Sequence, residues 1–190
     1  MESPLSGVGE QVAGHETVQS HTGEETLVAE LELLGIRYLS RHAPYQARQV
    51  RPPAALLADL IRQPSARVRT AVIAVLLAHP EYAQAVPAAL KRLRSRERLL
   101  LQSFYMAAVI LQEEHAERLR PLLRTQWRWL PDLFSAELGL PSQGTPRERL
   151  ILLGQSQRRW TKAAVNWVGT YEQVVHKLIR HWKKGAEWNR

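Results

Sequence analysis

The sequence predicts an all-α protein of eight or nine helices, built as an α-solenoid or a helical bundle. Apolar residues recur at three- and four-residue spacing along most of the chain. Proline, glycine and capping residues punctuate those runs at helix-length intervals. No segment alternates apolar and polar residues convincingly, and there is no Asn-Gly or Asp-Gly hairpin turn. A length of 190 residues suits one domain with room for a sizeable core.

Residues 1–21 are rich in Gly, Ser, Glu, Gln and His and read as a flexible acidic tail, which leaves residues 22–190 as the single helical domain. Thr22-Gly-Glu-Glu25 is a capping-box pattern. Leu27, Leu31, Leu34 and Tyr38 then predict a first helix reaching about Arg41. The stretch HAPYQARQVRPP is a connection, and Pro52 and Pro53 open a second helix where proline is tolerated. Leu56, Leu57, Leu60 and Ile61 form its stripe, and Pro64 ends it. Ser65 can cap a third helix, in which Val68, Val72, Val75, Leu76 and His79 share a face while Ile73 and Leu77 lie opposite. A helix that is apolar all round is covered on more than one side, so this one is interior, with Arg67 and Arg69 marking an exposed first turn.

Pro87 opens a short helix with Leu90 and Leu93 inward, and Ser95 caps a longer one to about Glu114 with Leu100, Phe104, Ala107, Ala108 and Leu111 as its stripe. Short helix, polar turn and strongly apolar helix thus occur twice, roughly 30 to 35 residues apart, the spacing of hairpin arrays. Pro121 and Pro131 bracket a predicted helix containing Leu122, Leu123, Trp127 and Leu130. Gly139 is a helix stop after LPDLFSAEL. Thr145-Pro-Arg-Glu148 is the clearest helix start in the chain, a capping box with proline at the first helical position. Thr170-Tyr-Glu-Gln173 is another capping box, and Val174, Val175, Leu178, Ile179 and Trp182 give the last helix its stripe to about Lys184.

Gln63-Pro-Ser-Ala-Arg-Val-Arg-Thr-Ala71 resembles the turn and the VR..A second helix of HEAT-type repeats. Gln63 stands near the family's usual aspartate, and the second unit has Leu99-Leu100 where Val-Arg would be. The resemblance implies a HEAT-like arrangement and a binding scaffold, a few such scaffolds gripping nucleic acid on a basic concave face. ALKRL, LQSFYMAAVILQ, LPDLFSAELGLP and NWVGTYEQVVHKLI also resemble segments of small bacterial helical proteins encoded beside minimal nucleotidyltransferases. That likeness implies a protein that holds a partner enzyme in a toxin–antitoxin or defence pair.

No apolar run approaches the roughly 18 to 20 residues of a membrane span. MESPLSGVGEQVAGHE has neither the basic nor the apolar region of a secretory signal. The chain has no cysteine, which rules out a disulfide-linked partner and a thiolate site and fits a cytoplasmic protein. The net charge of +8 hides an asymmetry: residues 1–30 hold six glutamates and no lysine or arginine, so the rest carries the whole basic excess. Arginine supplies 21 of the 26 cations, and its fork pairs well with phosphate or carboxylate. Such a body expects an anionic partner, nucleic acid or an acidic protein face, against the plainer account of surface ion pairs.

No Gly-rich phosphate loop, HExxH or GxSxG motif occurs, and aspartate is found only at positions 59 and 132, so neither a metal nor a cofactor is expected. Asp132 follows Pro131 and reads as an acidic first turn. Arg37 and His42 match the RxxxxH string of HEPN-type ribonucleases, the weak catalytic candidates here, although they sit early in the chain where that family places the string late. His176 and His181 have the wrong spacing for two ligands on one helix face, and Glu113-Glu114-His115 reads as a solvated helix end.

Three basic groups are the binding candidates. Lys91, Arg92, Arg94, Arg96 and Arg98 crowd one interhelical turn. Arg118, Arg120, Arg124 and Arg128 flank Trp127 and Trp129, a mixture that can stack on bases as well as bind phosphate. Lys177, Arg180 and Lys184 repeat opposite the last apolar stripe. The leading expectation is a non-enzymatic scaffold for a macromolecular partner. The alternatives are an RNA- or DNA-binding accessory subunit and, third, a HEPN-like ribonuclease.

Overall fold

The computed structural model describes the backbone of residues 13–39 and 47–188, and the side chains of 23–39 and 47–184. The protein is all-α, with no strand among the described residues. Helix α1 covers Ala13–Leu33, α2 Pro53–Arg62, α3 Ala66–Arg69 and α4 Ala71–Ala78. A 3₁₀ turn over Pro80–Ala85 leads into α5, Val86–Lys91, and then α6, Ser95–Glu114. The chain continues with α7, Ala116–Leu123, a 3₁₀ turn at Arg124–Gln126, α8, Pro146–Thr161, and α9, Trp167–Trp188. No helix among the described residues is long and apolar enough to cross a membrane.

Helix α4 is the interior helix its composition demands: all eight of its residues are buried. It packs against α2, α6 and α9, which together cover its apolar circumference. Helix α6 is the other central element, in contact with α2, α4, α7, α8 and α9. A linear solenoid keeps each unit against its neighbours in the chain. The return of α9 onto α4 is a contact of a different kind, and it closes the helices around a shared core.

Several boundaries differ from the sequence expectation, each for a local reason. Helix α1 begins before the Thr22 capping pattern, which falls in its interior, and it stops at Leu33 rather than near Arg41. Gly35 takes φ +77°, its N–H donates to the Glu32 carbonyl at 3.0 Å, and the Ile36 N–H donates to Leu31 at 2.8 Å. These two bonds make a Schellman stop that outweighs the continuing apolar spacing of Leu34 and Tyr38. Pro121 does not open a helix but lies inside α7, and no regular helix runs from there to Pro131. Helix α9 starts at Trp167 because Asn166 Oδ1 accepts the Gly169 N–H at 3.0 Å; the Thr170 hydroxyl donates to the Asn166 carbonyl at 2.9 Å and starts nothing.

Other signals hold. Thr145 Oγ1 accepts the Glu148 N–H at 3.2 Å, and Glu148 accepts the Thr145 N–H at 2.8 Å. The bond from the Thr145 N–H, helped by the Thr145 hydroxyl, keeps the Glu148 carboxyl below its ordinary pKa. Gly139 sits at φ +65° and ends its turn, with Leu140 N–H donating to Ser135 at 2.8 Å. Asp132 caps the start of that turn, accepting the Ser135 N–H at 3.0 Å.

Two ion networks fasten the helices. Arg51 joins buried Glu30 of α1 at 2.6 Å to Asp59 of α2 at 2.6 Å. Buried Arg149 of α8 joins Glu113 of α6 at 2.8 Å and Asp132 at 3.6 Å.

Candidate functional site

A cleft of about 540 Å³ opens where the end of α2, the α2–α3 turn and the first turns of α6 face the α8–α9 connection. Its apolar lining includes Ile61, Leu100 and Val165 together with Trp160 and Trp167. Arg62, Arg69 and Arg96 line it as well, and Glu97 is the one acidic residue there. Arg69 Nη1 donates to the Gln63 and Pro64 carbonyls at 2.6 and 2.7 Å, which pins the turn. Burial lowers the Arg69 guanidinium from its ordinary pKa. Arg62 binds Asp59 at 3.1 Å and also donates to the Arg92 carbonyl, so the cleft wall is tied to the α5–α6 turn. The indole N–H groups of Trp160 and Trp167 are buried and find no acceptor among the described residues.

The α5–α6 turn itself exposes Lys91, Arg92, Arg94, Arg96 and Arg98 to solvent. Arg98 has a structural duty, donating from Nε to the Leu90 and Leu93 carbonyls at 2.8 and 3.0 Å. Glu97, the only acid within the segment, accepts the Arg94 backbone N–H at 2.8 Å, so that bond, rather than the expected Ser95 side chain, starts α6. Among the described residues no carboxylate pairs with the side chains of Lys91, Arg92, Arg94 or Arg96. Arg96 belongs to both the turn and the cleft, and the two form one basic region.

The other basic groups lie elsewhere. Arg118, Arg120, Arg124 and Arg128 are exposed beside Trp129, which is 59% exposed and meets half-buried Trp127 edge-on at 5.0 Å. Gln112, near the end of α6, bonds the Arg128 carbonyl and the Leu130 N–H, both at 2.8 Å, which sets Arg128 and Trp129 roughly 25 Å along α6 from the α5–α6 turn at about 1.5 Å per residue. Lys177, Arg180 and Lys184 are exposed opposite the buried Val174, Val175, Leu178 and Ile179, as the spacing predicts. The His115 and His176 rings meet at 5.6 Å, which places Lys177 at the α7 end of α6. The three groups therefore divide between the two ends of α6.

Arg37 is exposed and lies beyond the end of α1 rather than on it, while His42 falls outside the described residues. Glu113-Glu114-His115 is not a simple solvated end: Glu113 is bound to Arg149, and His115 is half-buried. Burial lowers the His115 pKa, against a smaller opposing pull from Glu114. Among the described residues no group of three His, Asp or Glu side chains could hold a metal ion. A scan against protein-family models, a search of curated proteins and a search of solved structures return no match to this chain.

Arg62, Arg69, Trp160 and Trp167 were not visible as members of a site in the sequence. Residues 61–70, 96–100 and 160–170 meet only because α2, α8 and α9 all pack on α6. The one local hint is the Arg-Val-Arg of residues 67–69, two cations on a first turn that leads into an interior helix.

Proposed function

We propose that this protein is a helical scaffold that binds nucleic acid through the α5–α6 turn and the adjoining cleft. The observation that carries the reading is the set of exposed cations Lys91, Arg92, Arg94 and Arg96, unpaired with any described carboxylate and continuous with an arginine- and tryptophan-lined cleft. Closely spaced like charges repel one another and are relieved by phosphate, and arginine with tryptophan supplies both phosphate pairing and base stacking. The absence of cysteine supports work in the cytoplasm.

A second reading, a scaffold for a protein partner such as a nucleotidyltransferase in a toxin–antitoxin or defence pair, is favoured by exposed apolar side chains. Ile151 and Val165, 37% and 38% exposed, line a shallow pocket of about 320 Å³ between α8 and the start of α9. Purification of the untagged native complex separates the two. Nucleic acid in the preparation, read from its absorbance ratio and lost in Lys91→Gln/Arg92→Gln/Arg94→Gln, supports the first reading. A stoichiometric protein identified by mass spectrometry and lost in Ile151→Glu, with no nucleic acid, supports the second and overturns the first.

A further inference from the structure

The cleft beside the arginine turn has the dimensions and chemistry of a small-ligand pocket, and we propose that it binds a nucleoside phosphate. The phosphate would meet Arg62, Arg69 and Arg96, and the base would lie against Trp160 and Trp167. Four observations lead there. The volume of about 540 Å³ lies within the range of ligand clefts. Three arginines and one glutamate line it, and Arg62 is paired with Asp59, which leaves Arg69 and Arg96 beside Glu97, a positive lining that suits a phosphate monoester. Glu97 is already engaged by the Arg94 amide, and the Nη1 bonds of Arg69 go to carbonyls rather than carboxylates, so Arg69 and Arg96 keep their cationic character. Trp160 and Trp167 both line the cleft and offer ring surface for a base to lie against.

The same chemistry is offered by a free mononucleotide and by the 5′-phosphorylated end of a strand. Only in the second case does the proposal rest on the nucleic-acid reading, and there it names what part of the strand the cleft takes.

Calorimetric titration of the full chain tests it with adenosine monophosphate, adenosine and ribose 5-phosphate, and with a short RNA carrying either a 5′-phosphate or a 5′-hydroxyl. Adenosine monophosphate or the 5′-phosphorylated RNA should bind at least about tenfold more tightly than its dephosphorylated counterpart, the loss expected when charge-assisted hydrogen bonds are removed. A preference for the free nucleotide over the RNA end identifies the first source, and the reverse preference the second. Arg69→Gln should weaken that binding about tenfold. Because Arg69 also pins the α2–α3 turn, Ala66→Phe provides the independent check: Ala66 is exposed and lines the cleft, so the larger ring fills it without removing a charge or a core side chain. It should abolish phosphate-dependent binding with an unchanged melting temperature. Lys91→Gln/Arg92→Gln/Arg94→Gln should weaken binding of both RNAs while the preference for the phosphorylated ligand over its dephosphorylated counterpart persists, which separates this proposal from general strand binding. If no phosphate-dependent preference exists, or if Ala66→Phe binds the phosphorylated ligand like wild type, the proposal is wrong.

Discussion

Leu76 has no exposed surface and lies on a helix whose every residue is buried. Leu76→Ala should cost about 2 to 5 kcal/mol, because the surrounding helices cannot collapse fully into the space left. A urea midpoint with an unchanged slope measures it. This part of the molecule was legible: Val72, Val75 and Leu76 fall where the apolar run puts them. Gly154 was not. A Cβ there would lie 2.8 Å from Val168 Cγ2, so glycine permits the close approach of α8 to the start of α9. Gly154→Ala should destabilise by about 1 to 3 kcal/mol despite its gain in helix propensity. Nothing local distinguishes such a glycine, since the neighbour that needs the space is on another helix. His115 gives a pH dependence with a definite sign. Burial holds its folded pKa below the ordinary value of 6.5. Its neutral form is therefore favoured by folding, and that stability is present above the unfolded pKa and lost as pH falls from there through the folded value. The melting temperature of wild type should fall more between pH 7 and pH 5 than that of His115→Gln; equal falls would show that His115 does not contribute.

At the level of elements, capping explains both the successes and the misses. Thr145 and Thr170 begin nearly the same four-residue pattern, yet only the first starts a helix. Asn166 reaches the N–H of Gly169 first, so Thr170 is already in the helix when its hydroxyl could act. Asn166→Ala should therefore cost about 1 kcal/mol, and Thr170→Ala distinctly less, as read from thermal or urea unfolding of the two variants. The reverse order would place the cap at Thr170 after all. The end of α1 follows the same logic. Leu34 and Tyr38 continue the helical spacing of Leu27 and Leu31, but periodicity records only which face is apolar and Gly35 decides where the backbone turns away. Pro121 departs from its expected place for the opposite reason. Proline favours a first turn, yet near the end of a short helix it removes only one backbone bond, and α7 tolerates it.

Across the whole molecule, composition announced a cationic surface but not its geography. The crowded turn at residues 91–98 is visible as a charge cluster, and the structure leaves all five of its cations without a carboxylate partner among the described residues, Arg98 bonding backbone carbonyls instead. What the sequence could not show is that Arg62 and Arg69 adjoin that turn with two tryptophans behind them, while the arginines around Trp127 and Trp129 lie at the far end of α6. Such placement depends on α8 and α9 folding back over α6 and α4, contacts between residues far apart in the chain. The resemblance to HEAT repeats at residues 63–71 is local and says nothing of this closure. The proposed function requires the cations of the turn to act together on phosphate. The most direct measurement of that is the salt dependence of affinity for a random single-stranded RNA, wild type against Lys91→Gln/Arg92→Gln/Arg94→Gln. Each phosphate neutralised on a single strand contributes a slope of about −0.7 in log K against log salt, so the triple variant should reduce the slope's magnitude by roughly 2 and weaken binding alike for all sequences. An unchanged slope and affinity in the variant, or a wild-type protein that does not retain RNA at low salt, would contradict the account.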